Sequence, residues 1–258
     1  MSFILYEKID SIAKISLNRP DKYNSFCREM AFAMQAALDD AAKDTHIRCI
    51  LITGVGKAFC AGQDLAEAIE DNGIALSQIV TEHYNPIIEK MRALPKPVVC
   101  AVNGVAAGAG ANIALAADIV VATASATFIQ AFSKIGLIPD SGGTFFLPRL
   151  IGLQQASALM MLGDKVSASD AVQMGMIYKC FNDESFTDDC WNLALQLANM
   201  PTKGLALTKQ LLNETYTNTL SQQLILEGQI QVEASQSEDY QEGVNAFLEK
   251  RKPVFKGF

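Results

Sequence analysis

Pro97-Val98-Val99-Cys100-Ala101-Val102-Asn103-Gly104-Val105-Ala106-Ala107-Gly108-Ala109-Gly110-Ala111-Asn112 is the stretch whose reading decides the fold. Residues 97–102 are a short, continuous apolar run, as expected of a strand buried on both faces. A glycine-punctuated loop follows at Gly104–Gly110, and a helix is expected through Ala117. The same order recurs on either side. Cys49–Thr53 (CILIT) reads as a buried strand that enters the loop Gly54–Gln63, and Asp118–Ala122 reads as a third strand. Phe128 begins a fourth short segment. Such alternation predicts an α/β fold built of βαβ-like units.

Working outward, Phe3–Tyr6 and Ile12–Leu17 read as strands, and Asn18-Arg19-Pro20 breaks the second. Cys27–Lys43 carries Met30, Phe32, Met34, Ala37, Leu38 and Ala41 at helical spacing. Ser77–Leu94 is a further helix. From Leu153 the pattern turns helical, with a small strand near Ile177–Cys180, and Phe186–Lys250 is almost entirely helical. The expected organisation is an α/β core over residues 1–197 and a helical C-terminal region over 198–258 that packs against other subunits.

Composition narrows the function classes. The chain has 258 residues and a formal charge of −7, without the basic stripe that phosphate backbones require, so nucleic acid is not the expected partner. A local cluster of Lys and Arg still suffices for a small phosphorylated ligand. No apolar run is long enough to span a bilayer, and residues 1–20 read as neither signal nor transit peptide. A cytoplasmic location is expected. The six cysteines are scattered without a C-x-x-C pair, which predicts reduced thiols that pack as small apolar residues. No metal site is expected, because His46 and His83 lie at ligand spacing from neither a cysteine nor each other. Both histidines are expected at the surface.

Three constellations carry chemistry. In Ala58-Phe59-Cys60-Ala61-Gly62-Gln63-Asp64-Leu65, Gly62 permits a tight turn that exposes backbone N–H groups; an ordinary strand-to-helix loop is the simpler alternative. In Asn103–Asn112, small residues let a helix begin hard against neighbouring backbone, with its first amides unsatisfied and partly positive. That is a place to hold an anion or a developing oxyanion, and equally a device for close packing. It is not a dinucleotide fingerprint, since the glycine spacing is wrong. The third is Asp140, in Ile138-Pro139-Asp140-Ser141-Gly142-Gly143-Thr144, a turn suited to close approach of a ligand or simply a turn aspartate. Asp140-Ser141-Gly142-Gly143 also looks like the nucleophile turn of trypsin-like proteases, but those are all-β and place their histidine and aspartate in strand-rich sequence.

Taken in order, these pieces resemble the crotonase (enoyl-CoA hydratase/isomerase) superfamily over nearly the whole chain. The matching stretches are Leu17-Asn18-Arg19-Pro20, Ala58–Leu65, Lys96-Pro97-Val98 through Gly110, Ala116-Ala117-Asp118-Ile119, Phe128–Thr144 and Glu242-Gly243…Ala246-Phe247-Leu248-Glu249-Lys250-Arg251. Phe132–Thr144, Tyr84-Asn85-Pro86 and Asn103–Gly110 make the chain similar to the members that isomerise ring-1,2-epoxyphenylacetyl-CoA. The resemblance implies a crotonase-like spiral of ββα units that binds an acyl-CoA thioester. It implies no permanently bound cofactor, coenzyme A entering as part of the substrate, and assembly as a homotrimer or a dimer of trimers.

The resemblance places two backbone donors to the thioester oxygen at the amides of Gln63 and Ala109, where side-chain identity should matter little. The coenzyme A end would lie along Lys22, Ala61, Asp64 and Leu65, with Lys250 reaching it from the C-terminal tail. Hydratases of the family use two glutamates; here those positions hold Asn112 and Phe132, neither of which moves a proton near neutral pH. Asp140 matches the carboxylate of related isomerases. The implied activity is isomerisation of an enoyl-CoA or ring-epoxide phenylacetyl-CoA thioester. Addition of water to a 2-enoyl-CoA, hydrolysis of the thioester with Asp140 directing water, and non-catalytic binding of coenzyme A esters are the alternatives.

Overall fold

The computed structural model describes residues 2–69 and 74–258. Strands β1 (Ile4–Ile9) and β2 (Ile12–Leu17) form an antiparallel hairpin. Its two-residue turn, Asp10-Ser11, has both residues at positive φ (48° and 66°), the twist that a tight hairpin needs. β2 then pairs in parallel with β3 (Cys49–Gly54).

A second sheet runs beside the first and begins with β4 (Ala58–Cys60). The first sheet continues through β5 (Val98–Val102), and β6 (Val105–Ala107) lies in the second. β7 (Ile119–Thr123) and β8 (Thr127–Ile129) repeat the pattern. β9 (Lys165–Ser167) closes the second sheet antiparallel to β8, and β10 (Lys179–Phe181) closes the first. The orders are β1-β2-β3-β5-β7-β10 and β4-β6-β8-β9. Each pass therefore lays a long strand, then a short strand, then helix, which is the expected spiral of ββα units.

The continuous apolar runs follow from burial on both faces. Ile50, Ile52, Val98, Cys100 and Val102 point into one core, against Met30, Met34 and Leu38 of α1 (Arg28–Lys43). Leu51, Val99, Ala101 and Val121 point into a second core against Phe186, Cys190, Ala194 and Ala198. With side chains alternating at period two, a strand with a core on each side is apolar at every position. Each fully buried aliphatic side chain contributes about 1.5–3 kcal/mol.

Between these layers run α2 (Leu65–Ile69), α3 (Leu76–Gln78), a π-helical segment Ile79–Tyr84 and α4 (Asn85–Ala93). The helix expected over Ser77–Leu94 is thus present but carries a π turn. α5 (Ala109–Leu115) is buried throughout. The remaining helices are α6 (Gly143–Ile151), α7 (Leu153–Leu162), α8 (Ala168–Gln173), α9 (Phe186–Ala198), α10 (Thr202–Glu214), α11 (Leu220–Ser235) and α12 (Glu238–Glu249). Among the described residues no helix is long and apolar enough to cross a membrane.

One surface expectation is corrected. His46 is exposed, but His83 is only 1% exposed, because the π turn directs Ile79, His83 and Tyr84 inward together. Its ring meets Phe32 edge-on at 5.6 Å, and burial lowers its pKa.

Buried cations fasten α10 to the core. The Lys209 ammonium donates to the carbonyls of Met91 (2.6 Å) and Lys96 (3.3 Å) and pairs with Asp118 at 2.8 Å. Arg48 donates to the Met200 carbonyl, the Thr202 hydroxyl and the Phe255 carbonyl at 2.6–2.8 Å. Burial depresses the Lys209 pKa even though Asp118 opposes that shift, so the pair costs desolvation. Removing one member is nonetheless worse, since two carbonyls lose their donor. Lys209→Ala is expected to cost about 3 kcal/mol, at the low end for a broken buried pair, because Asp118 keeps Arg92 and the Val98 amide. The check is a lower urea midpoint with an unchanged m-value.

Candidate active site

The site begins where two glycine-bearing loops meet. Gly62 has φ +94°, and a side chain there would stand 3.0 Å from the Ala107 carbonyl and 3.5 Å from the Ala109 nitrogen. A methyl on Gly110 would overlap the Cys60 carbonyl and thiol. The turn after β4 therefore presses directly on the start of α5, as only glycine allows. Burial pushes the Cys60 thiol up to about 12, so it packs here as an inert group.

Hydrogen bonds then single out two amides. On either side of Gln63, the Phe26 amide donates to the Gly62 carbonyl (2.7 Å) and the Asp64 amide to the Phe26 carbonyl (2.8 Å). The Gln63 amide itself donates to no acceptor among the described residues. Nor does the Ala109 amide, which opens α5 where no intrahelical acceptor exists. Two unsatisfied N–H groups thus flank one contact, an arrangement that suits an oxygen carrying or developing negative charge.

The expectation that the Gln63 side chain matters little is corrected. Its Oε1 accepts from the Tyr84 hydroxyl at 2.6 Å, and its Nε2 donates to Glu67 at 3.0 Å. Glu67 in turn accepts the Arg28 amide at 2.9 Å. Tyr84 is wholly buried, edge-on to Phe26 at 5.9 Å, and its phenol pKa is raised well above normal, first by burial and further by nearby anions that include Asp140. The Gln63 backbone is therefore braced through its side chain by both the π segment and α2.

Asp140 stands half-buried ahead of α6, followed by Ser141 (φ +51°) and Gly142 (φ +72°). Its carboxylate accepts the Ser141 hydroxyl at 2.9 Å. Burial raises its pKa; the Ser141 bond and its own amide oppose that shift without cancelling it. Its carbonyl accepts the Gly143 amide and the Asn112 side-chain amide, each at 2.9 Å. Asn112 is fully buried and accepts from Gln130 at 2.8 Å, so it faces the Asp140 turn and does not form open pocket wall. Phe132 is buried with its ring over Gly108.

The residues expected at the coenzyme A end are partly gathered. Lys22, Ala61 and Leu65 are exposed, and the Ala61 amide donates to Tyr23, next to Lys22. The Asp64 carboxylate is already committed to Arg19 (2.8 Å) and the Ala66 amide; the Arg19 bond holds its pKa below the usual range. Lys250 ends α12 in a left-handed conformation, and no hydrogen bond or ion pair among the described residues joins it to that set. The sequence gives no role to Glu67, which stands outside every matching stretch, or to Gln130, which lies inside Phe128–Thr144 without a distinguishing pattern. Tyr84 had a signal, since Tyr84-Asn85-Pro86 was one of the matching stretches.

A cavity of 590 Å³ between the core and the C-terminal helices is lined in part by Arg48, Lys96 and Lys209. The polar groups of these three are spent on carbonyls and side chains of the fold. Among the described residues no cluster of His, Cys, Asp or Glu is arranged to hold a metal ion.

Known proteins resemble the chain over its length. The family pattern described as enoyl-CoA hydratase/isomerase matches residues 7–257. The chain is 49% identical to the 1,2-epoxyphenylacetyl-CoA isomerase of Escherichia coli (strain K12), over 100% of this chain and 99% of that one. It is 34% identical to the trans-2-decenoyl-[acyl-carrier-protein] isomerase of Streptococcus mutans, over 98% of each. The crystal structure of an enoyl-CoA hydratase from Polaromonas sp. JS666 superposes with a TM-score of 0.90 at 34% identity, covering 98% of this chain and 99% of that one. The chain is an enzyme of the enoyl-CoA hydratase/isomerase family, with the crotonase fold.

Proposed function

We propose that this enzyme isomerises an acyl-CoA thioester, either by moving the double bond of an enoyl-CoA or by rearranging a ring-1,2-epoxyphenylacetyl-CoA. One observation carries the reading: Asp140, a half-buried carboxylate, is joined through the Asn112 side chain to α5, which opens on an unpaired amide, and the positions that would supply a water-activating pair hold Asn112 and Phe132. The similarity to the Escherichia coli isomerase supports the ring-epoxide substrate.

The amides of Gln63 and Ala109 take the thioester oxygen and stabilise an enolate-like state, which makes the neighbouring carbon acidic. A donor of this kind is worth on the order of 10²–10³ in rate. Asp140 removes a proton at one carbon and returns it at another. A positioned acid–base group contributes on the order of 10²–10⁴. Its raised pKa makes the carboxylate a stronger base and its acid form available for the return step. With a ring epoxide the same group assists opening and rearrangement. No step requires a second acid or a resident cofactor.

Lys22, Ala61, Asp64 and Leu65 line the way for the coenzyme A end, Asp64 through its hold on Arg19. Residues 1–197 hold the acyl-CoA site, and residues 198–258 serve self-association and closure. Exposed apolar side chains such as Leu153, Met161 and Phe247 support a homotrimer or a dimer of trimers. Lys250 reaches a coenzyme A end in that assembly, from a neighbouring copy. The setting is cytoplasmic, with no nucleic acid or membrane partner.

Offered a 3-enoyl-CoA and a 2-enoyl-CoA separately in water, the enzyme is expected to give a same-mass conjugated product from the first and little water adduct from the second, read by mass spectrometry. Rapid hydration of the 2-enoyl ester would identify a hydratase. Asp140→Asn should keep ester binding and lose about 10²–10⁴ of turnover. It should also alter stability with a defined sign. A carboxyl whose folded pKa is raised stabilises the fold below its unfolded pKa and loses that contribution as pH rises through the folded value. Asp140→Asn should therefore melt above the parent at neutral pH, and the gap should close as pH falls below the ordinary carboxylate range. Tyr84→Phe, which frees the Gln63 side chain, is expected to lower kcat about tenfold with KM nearly unchanged, the mark of a contact that matters in the transition state.

A further inference from the structure

Both halves of the Asn112 amide are committed, in a pocket closed to solvent. Its Nδ2 donates to the Asp140 carbonyl at 2.9 Å, and its Oδ1 accepts from Gln130 Nε2 at 2.8 Å. A carbonyl is an obligate acceptor, so the orientation of the amide is fixed: turned over, it would set oxygen against oxygen. The space is equally fixed, because a methyl on Gly143 would overlap this amide. Gln130 stands between β8 and the 3-10 turn that carries Phe132. One chain of bonds therefore links the Asp140 turn, α5 and the Phe132 segment.

We infer that Asn112 is the positioning residue for the Asp140 carboxylate, acting as a buried donor to the backbone carbonyl of the turn that carries it. The inference rests on the reading of Asp140 as the acid–base group. Ser141 is a non-glycine residue in the left-handed region, where the backbone must be held by its surroundings. What holds this turn is the Asp140 carbonyl, bonded by the Gly143 amide and by Asn112. A carboxylate at 112 presents only acceptors. It would repel the Asp140 carbonyl and add a negative charge beside a carboxylate already disfavoured by burial. The titratable group placed in the field of Asp140 is Tyr84, and its pKa is too high to protonate or deprotonate in the working range.

The test uses the full-length enzyme with Asn112→Asp, Gln130→Met and Asp140→Asn. Circular dichroism and melting first show which variants fold. The isosteric Asn112→Asp is expected to fold and to lose about 10- to 100-fold in kcat at neutral pH, as misplaced catalytic groups do, with KM changed little. Its acid limb of kcat against pH should move upward, which a purely structural role would not produce. Gln130→Met should lower kcat in the same direction by a smaller factor. Parental kcat with an unmoved acid limb in Asn112→Asp overturns the inference. Asp140→Asn separates the two levels: if it retains turnover, the reading of Asp140 itself fails; if it is inactive while Asn112→Asp is unchanged, only the role of Asn112 fails.

Discussion

A side chain on Gly62 would meet the Ala107 carbonyl at 3.0 Å, and one on Gly110 would overlap Cys60. This double contact between the turn after β4 and the start of α5 is the constraint on which the site depends. It sets the spacing of the Gln63 and Ala109 amides by backbone contact, and the Gln63 side chain braces it. The two loops are brought to this contact by the sheets: β3 and β5 are neighbours in one, and β4 and β6 are neighbours in the other. Parallel pairing in both sheets repeats the same corner at successive levels of the spiral. The long strands supply apolar burial on both faces, and the corners supply backbone donors. A helix that starts without a side-chain cap normally turns its first amides to water; here the Ala109 amide opens a buried helix instead.

Against these donors the chain sets one acid. A carboxylate in a partly dry site is a stronger base than in water, and its acid form survives closer to neutral pH. That suits a group that both takes and returns a proton. The Ser141 hydroxyl keeps the carboxylate oriented, and the Asn112 and Gly143 donors keep its backbone in place. Addition of water would require another group to hold and deprotonate the water. Asn112 is turned into the wall, and Phe132 covers Gly108 with a ring that excludes water.

The long elements were legible in the sequence because their burial is two-sided or strictly helical. Val98–Val102 read as a buried strand since one alternate set faces α1 and the other faces α9. The three-residue strands β4, β6, β8 and β9 are too short to show a period; residues 58–60 and 105–107 read as loop, Phe128 only as a short segment, and 165–167 went unmarked. His83 read as surface because its polar neighbours suggested a helical face, and nothing in the composition announces a π turn. Backbone roles could be carried over from a resemblance, since Gln63 and Ala109 sit in glycine-bearing stretches. The side-chain bonds that hold those backbones could not. Tyr84 lies 21 positions from Gln63, and Gln130 lies 18 from Asn112, separations at which no local pattern exists.

Several irregular features lie where the chemistry is proposed. Ser141 and Gly142 are left-handed in succession, Gly108 and Gly62 hold positive φ, and a π segment delivers Tyr84. Of the buried side-chain polar atoms without a partner, His83 Nε2 adjoins Tyr84, and Gln130 Oε1 belongs to the amide that holds Asn112. Each such feature costs free energy that a regular element would not, since a buried polar atom left unpaired costs about 1–3 kcal/mol. The sheets offset it with side chains that are 0–6% exposed along β5 and over Val120–Thr123 of β7. A π turn and an orphaned amide oxygen persist only if moving them would cost more than they do. For Gln130 that larger cost is the loss of the Asn112 bond, hence of the turn that aims Asp140. For the π segment it is the loss of the Tyr84 hydroxyl from Gln63. Two of the costly features thus hold the two connections that place the proposed base and the proposed oxyanion donor.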